Sequence, residues 1–252
     1  MDCKSARRLY GVAGPPIRVD RHMNSLLPDW PAPTNIKVLF SDRRGGVSNT
    51  PYASLNLGVH VGDDADLVAC NRASIDVPGE PFWLEQTHTD ICINADIEAT
   101  DRLGDASITR ASGKVLAIMV ADCLPVMFTS VAGDIVGVAH AGWKGLADGV
   151  LSSTVTALGG NSMLAWMGPA IGPCHYTVGE DVRARFSSDT GFVEGSDKKF
   201  SMDLYAIAKE QLESLGVETY GGGLCTYCDS SNFFSYRRDG VTGRMGGFIW
   251  ME

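Results

Sequence analysis

Three residues stand where an apolar, β-prone run gives way to small or polar residues: His88, Cys123 and His140. Strand ends of this kind are exposed and can converge at one rim of a sheet. A thiolate and two imidazoles form a donor set of borderline softness that suits zinc and leaves a fourth position for water or substrate. Copper competes for the same ligands. The separations along the chain, 35 and 17 residues, match no finger-type spacing. Spacing alone therefore leaves a satisfied structural histidine, or an inert core thiol at Cys123, open at each position. The same residues also allow a second chemistry, with Cys123 as nucleophile and His140 as base. Asp122, directly before Cys123, could orient a ligand histidine or simply cap a turn.

Other groups offer weaker signals. Arg43 and Arg44 lie in one glycine turn, and Arg237, Arg238 and Arg244 flank another. Such turns bind phosphate, although a solvated face is the commoner meaning. Lys144 follows Trp143 just after His140, as an anion contact beside a substrate wall or as a solvated lysine beside a core indole. Cys225-Thr-Tyr-Cys228 is a lone CxxC that follows three glycines, with no second CxxC to complete a zinc site. Cys174 and His175 are adjacent, and neighbours on an extended segment point to opposite faces, which counts against joint action. Gly142-x-x-Gly145 lacks the rest of a phosphate loop.

The elements that must position these residues follow from periodicity and turn chemistry. Strands are expected over 35–41, 81–86 (delivering His88), 114–121, 124–130, 134–139 (delivering His140), 163–167, 217–220 and 248–251. A helix is expected over 66–74. Another opens at Gly142, carries the stripe Leu146, Val150, Val155 and Leu158, and stops at Gly159-Gly160. A third covers 178–186, and a fourth covers 203–215 with Gly216 as its cap. Strands and helices interleave, yet strand-to-strand runs occur too. The pattern predicts a mixed α/β or α+β fold rather than a doubly wound sheet.

The chain has 252 residues with 44% apolar and 20% charged content, ordinary for a folded domain with a sizeable core. Its net charge of −9 disfavours nucleic acid as a partner. No apolar run is long enough to span a membrane. Seven scattered cysteines, an odd number, predict a reduced, cytoplasmic protein. Residues 1–23 mix Arg, Gly and Pro without periodicity and read as an expression tag or a disordered N-terminus. Residues 24–252 read as a single domain.

Six segments carry a wider pattern: FSDRRGGVSNTPYASLNLGVHVGDD (40–64), QTHTD (86–90), ADCLPVMF (121–128), HAGWKGL (140–146), GPAIGPCHYTVG (168–179) and FFSYRRDGVTGRMGGFIW (233–250). Together they resemble the YfiH-like polyphenol-oxidase or laccase-domain family, whose members are also described as purine nucleoside phosphorylases. The resemblance implies a layered α/β/β/α fold with mixed sheets, related to toxin cysteine deamidases. It implies a zinc site on His88, Cys123 and His140. It further implies phosphorolysis of adenosine, inosine and methylthioadenosine, adenosine deamination, and a copper-dependent polyphenol oxidase activity. On that reading the partners are a purine nucleoside and phosphate, Arg43, Lys144 or Arg237 positions phosphate, and Asn56 of SLNL touches substrate. The family's usual motif at the first histidine is closer to QVHG. Thr87 and Thr89 depart from it and predict a more polar rim. Four histidines beyond the expected tag are too few for a multicopper centre. The HxE and PCxxC signature of zinc deaminases is absent, so no glutamate acid–base role carries over.

Overall fold

Alternation along Leu124–Ser130 decides the layering. In this computed structural model, which describes residues 18–20, 25–97, 101–160 and 162–252, every residue of that strand is buried. Leu124, Val126 and Phe128 face one apolar cluster and Met127 the other, the period-2 signature of a strand covered on both sides.

In chain order the strands are β1 (Arg18–Asp20), β2 (Ser25–Leu27), β3 (Ile36–Ser41), β4 (Cys92–Asn94), β5 (Ala106–Thr109), β6 (Leu116–Val120), β7 (Leu124–Ser130), β8 (Val136–Ala141), β9 (Met163–Met167), β10 (Thr177–Gly179), β11 (Phe192–Glu194), β12 (Lys199–Met202), β13 (Glu218–Gly221) and β14 (Met245–Met251). The helices are α1 (Ala65–Ala73), α2 (Trp143–Asp148), α3 (Val150–Leu158), α4 (Glu180–Arg183), α5 (Leu204–Ser214) and α6 (Tyr236–Asp239). One sheet has the order β1-β2-β3-β14-β6. A second, mixed sheet runs β13-β9-β7-β8-β5-β4, and a small third runs β10-β12-β11. Phe40, Ile118, Met127, Val138, Trp166 and Ile249 fill the space between the two large sheets. Leu146, Val155, Ile207 and Leu212 from α2, α3 and α5 cover the far face of the mixed sheet. Leu55 and Leu57, with Trp83 packed against them, cover the far face of the other sheet over Leu39 and Phe248. The layered mixed α/β fold expected from the sequence is the one that forms.

Local chemistry explains the boundaries. The Asp203 carboxylate accepts from the backbone N–H groups of Tyr205 and Ala206 and caps α5. Gly216, at φ 74°, follows that helix in the left-handed region. Three expectations need correction. The helix expected to run on from Gly142 is two helices, because Gly149 adopts φ 97° and breaks it between α2 and α3. Residues 178–186 are not one helix: Thr177–Gly179 pairs with Lys199–Ser201, and strand pairing overrides the local pattern up to α4. Residues 81–86 form only isolated bridges, Phe82 to Leu116 and Glu85 to Leu103. The Gln86 side chain takes the place of further backbone pairing by bonding both N–H and C=O of Met119, each at 2.8 Å.

Most of the stretch read as a tag lies outside the described residues. Within it, Arg18–Asp20 pairs antiparallel with Ser25–Leu27. Among the described residues no helix is long and apolar enough to cross a membrane. Phe128 is fully enclosed, so Phe128→Ala is expected to destabilise the chain by about 3–5 kcal/mol through lost burial and a residual cavity. The shift in guanidinium unfolding midpoint measures it.

Candidate metal centre and its pocket

The turn Ala121–Cys123 links β6 of one sheet to β7 of the other, so Cys123 sits where the two sheets are joined. Pairing of β7 with β8 sets Pro125 opposite His140 and so brings that histidine to the same end. The loop before β4 carries His88 to meet them. Cys123 Sγ lies 3.8 Å from His88 Nε2. The two imidazole rings meet edge to face at 4.8 Å between centroids. The three donor atoms all fall within 4.8 Å of one another. Only glycine fits at 142, since a Cβ there would stand 2.8 Å from Cys123 Sγ and 3.2 Å from His88 Cδ2. Two neutral imidazole nitrogens and one thiolate in this cradle fit a zinc or copper ion with a position left open.

Asp105, which the sequence did not single out, organises the group. One carboxylate oxygen bonds His140 Nδ1 at 2.8 Å. The other accepts from Thr87 N, Thr89 N and Thr89 Oγ1 at 3.1, 2.6 and 2.9 Å. The carboxylate thus holds both flanks of His88 and fixes the His140 ring with Nε2 left for a ligand. Thr89 turns its hydroxyl to Asp105 rather than lending it to the rim. His88 itself sits at φ 64° and Asp122 at φ 93°, conformations that non-glycine residues seldom adopt and that the surrounding bonds must hold in place.

These contacts also set the protonation states. Burial works to raise the Asp105 carboxyl, but the bonds from His140 and Thr89 outweigh it and hold it at about 2. Burial likewise opposes charge on Cys123 and His140, and is outweighed by their mutual attraction, by Asp105 at the imidazole and by His88 at the sulfur. The thiol falls to about 6 and the imidazole rises to about 9. Without metal each partner thus favours the charged form of the other.

A cavity of about 360 Å³ opens beside the three donors, within the range of small-molecule sites. His60, Gln86, Met119, Val120, Ala121, Tyr236 and Arg244 complete its lining. The other sequence candidates lie elsewhere. Arg43 bonds the carbonyls of Ala53 and Ser230. Asn56 is fully buried and holds Asp63 and the N–H groups of Gly58 and Arg244. Lys144 is exposed over Trp143, and Arg237 reaches the Thr177 carbonyl. Asp122 does not orient a histidine; its oxygens accept from Thr226 Oγ1 and Arg237 N, both at 2.6 Å. Arg244, in sequence one of the charges flanking a glycine turn, lines the cavity. The sequence cue for Asp105 is slight, a lone acid opening the β-prone run Ala106–Thr109.

A layered pair of sheets with two histidines and a cysteine at one shared end defines a class of proteins with an imidazole–thiolate rim. The chain belongs to the YfiH-like laccase-domain family. The family described as "Multi-copper polyphenol oxidoreductase laccase" matches residues 37–252. Purine nucleoside phosphorylase YfiH of Escherichia coli is 44% identical over 239 residues, covering 90% of this chain and 98% of that protein. Purine nucleoside phosphorylase of Haemophilus influenzae is 40% identical, covering 91% and 100%. The crystal structure of Neisseria meningitidis protein NMB0706 superposes with a TM-score of 0.86 at 42% identity, covering 91% of this chain and 99% of that one. YlmD from Geobacillus stearothermophilus gives 0.85 at 32% identity, covering 94% and 100%.

Metal-free protein should therefore show an unusually acidic Cys123 thiol. Its alkylation by iodoacetamide is expected to stay fast at pH 7 and to fall only as pH drops through about 6, because the thiolate is lost below that value. In His140→Ala the midpoint should move up towards that of an ordinary thiol. Zinc should slow the reaction in the unmutated chain. Asp105→Ala should weaken metal binding about 10- to 100-fold, read by competition with a chelator.

Proposed function

We propose that this protein is a zinc-dependent purine nucleoside phosphorylase. Its substrates on this reading are adenosine, inosine and methylthioadenosine, which it converts to the free base and ribose or methylthioribose 1-phosphate. Deamination of adenosine is a second activity of the same pocket. The observation that carries the reading is a three-donor centre opening onto a cavity that also holds a cation, Arg244, in a chain whose relatives are named purine nucleoside phosphorylases.

His88, Cys123 and His140 would hold the zinc. When bound, it would supply a Lewis acid that polarises substrate or water. The protein's own groups divide the remaining work. In phosphorolysis a phosphate oxygen bonds to the ribose C1′ as the C1′–N9 bond breaks. The electron pair leaves with the purine, which gains a proton. Arg244 supplies the positive charge for phosphate. Two of its possible bonds are spent on the carbonyls of Thr242 and Gly243, which leaves other N–H groups of the fork for an anion. His60 lines the same cavity. Burial, and then the charges of Arg244 and Arg72, hold it below its ordinary value, so it is a neutral hydrogen-bonding group at pH 7. Met119, Val120 and Ala121 give the purine an apolar wall. Phosphate binding passes on this reading from Arg43, Lys144 and Arg237 to Arg244.

A cysteine hydrolase or deamidase is the second reading. The chain Asp105–His140–Cys123, with its lowered thiol, has the connectivity of an activated nucleophile. A copper-dependent polyphenol oxidase follows from the family description, but four histidines among the described residues are few for several coppers.

Chromatography of adenosine and inosine reactions with and without phosphate separates these readings. Free base is expected only with phosphate, and base release indifferent to phosphate would indicate hydrolysis instead. Cys123→Ser should abolish both metal binding and turnover; normal turnover without zinc would overturn the metal mechanism. Arg244→Ala should raise the KM for phosphate roughly 10- to 100-fold, the worth of a lost charge-assisted bond, with a smaller effect on nucleoside KM.

A further inference from the structure

A second set of soft donors lies outside this pocket. Cys174 and His175 sit in the turn after β9, and Cys225 and Cys228 in the loop after β13. The two segments meet through the parallel bridge of Ala170 with Cys225 and the bond from Thr226 N to Ala170 O at 3.0 Å. Cys174 Sγ is 3.9 Å from Cys225 Sγ and 3.6 Å from Cys228 Sγ. His175 Nδ1 is 3.3 Å from both Cys174 Sγ and Cys228 Sγ. All four donors fall within 4.8 Å of one another.

The sequence expectation that Cys174 and His175 point apart fails because the segment is not extended. It turns, with His175 N bonding Gly172 O at 3.1 Å, so adjacent side chains converge. The CxxC that lacked a second pair of ligands finds one there. A tetrahedral ion with Zn–S near 2.3 Å and Zn–N near 2.0–2.1 Å sets S···S edges of about 3.8 Å and S···N edges of about 3.6 Å. The observed separations lie close to these.

We propose that Cys174, His175, Cys225 and Cys228 form a second metal site, a closed structural site for one zinc ion. Three thiolates and one imidazole complete a tetrahedron and leave no open position, unlike the His88, Cys123 and His140 centre. The surroundings are built for it. Gly172 N donates to Cys225 Sγ at 3.2 Å. A Cβ at Gly172 would press on Cys225 Sγ at 3.3 Å and Cys174 Sγ at 3.5 Å. The His175 ring stacks on Tyr227 at 4.0 Å with 12° between planes, which fixes the direction of its nitrogen. Cys174 also takes part in a disulfide in this structure. Disulfide and metal are alternative fates of that sulfur, and the site belongs to the reduced chain. Its place in the fold gives the ion a role: Thr226, inside the CxxC, donates to Asp122, the residue before Cys123. An ion here would clamp the loop that seats one ligand of the first centre.

The test uses the full chain, purified without metal resin under a non-thiol reductant, loaded with zinc alone and assayed for metal content. Cys123→Ser removes the first centre and should retain about one zinc per chain. Adding Cys225→Ser and Cys228→Ser should remove that zinc. Because those serines could compromise folding, peptide mapping of N-ethylmaleimide labelling in the Cys123→Ser chain gives a second readout. Cys225 and Cys228 should label at least about tenfold more slowly with zinc than without. A Cys123→Ser chain that takes up no zinc, or equal labelling of these cysteines with and without zinc, would overturn the proposal. Neither result bears on phosphorolysis by the unmutated pocket.

Discussion

The Asp105 carboxylate is wholly enclosed by protein, and a buried charge is tolerated only when its acceptor capacity is met. It is met here by four donors from two segments: the His140 ring and three groups of Thr87 and Thr89. The cost of burying the charge is thereby turned into geometry. The histidine on β8 and the loop carrying the other histidine cannot move independently, since either movement would leave the carboxylate short of a partner. Asp105 N–H and C=O also tie its own backbone to Ile91 O and His140 N. Both histidines at the rim therefore depend on one buried side chain.

Much of this was readable beforehand, and the reasons are particular. Met163–Met167 and Leu124–Ser130 are apolar runs of strand length bounded by turn residues, and both are strands as expected. Cys123 and His140 stand at the ends of such runs, whereas His88 follows a segment, 81–86, that forms only isolated bridges. Asp105 does not stand out, because what distinguishes it is burial, and burial of a single acid leaves no periodic mark. Arg43 and Arg237 carry a cue of another kind: charges in glycine turns look available for phosphate, and here each also donates to a backbone carbonyl of a neighbouring loop. The Cys225–Cys228 motif lacks a second pair in sequence, and adjacency on an extended segment counts against Cys174 and His175 acting together. The two motifs are about fifty residues apart, and only the parallel bridge between their loops shows that they face each other.

Asp122 and Asp105 divide the positioning of the rim. Asp105 works from the β5–β8 side. Asp122 works from the turn between the sheets, where its side chain and carbonyl gather Thr226, the Arg237 N–H and the Ile171 N–H. Tyr205 on α5 adds a third point of closure, with its hydroxyl bonded to the carbonyls of Gly168 and Leu224. The helix layer thus reaches through to the loops behind the rim, and the left-handed backbone at Asp122 is held from several directions.

β14 lies inside its sheet, paired with β3 on one side and β6 on the other, although it is the last strand among the described residues. Arg244 precedes it directly. On a ribosome, where the chain emerges N-terminus first, β3 and β6 have no common neighbour until β14 has emerged. Residues 88 to 140 can collect early, but the wall bearing Arg244 cannot. Closing a sheet around a late central strand is a non-local and slow step. A chain released short of it would present two open strand edges, the kind of surface that chaperones and proteases recognise. Assembly of the cavity therefore waits on the entry of β14 between β3 and β6.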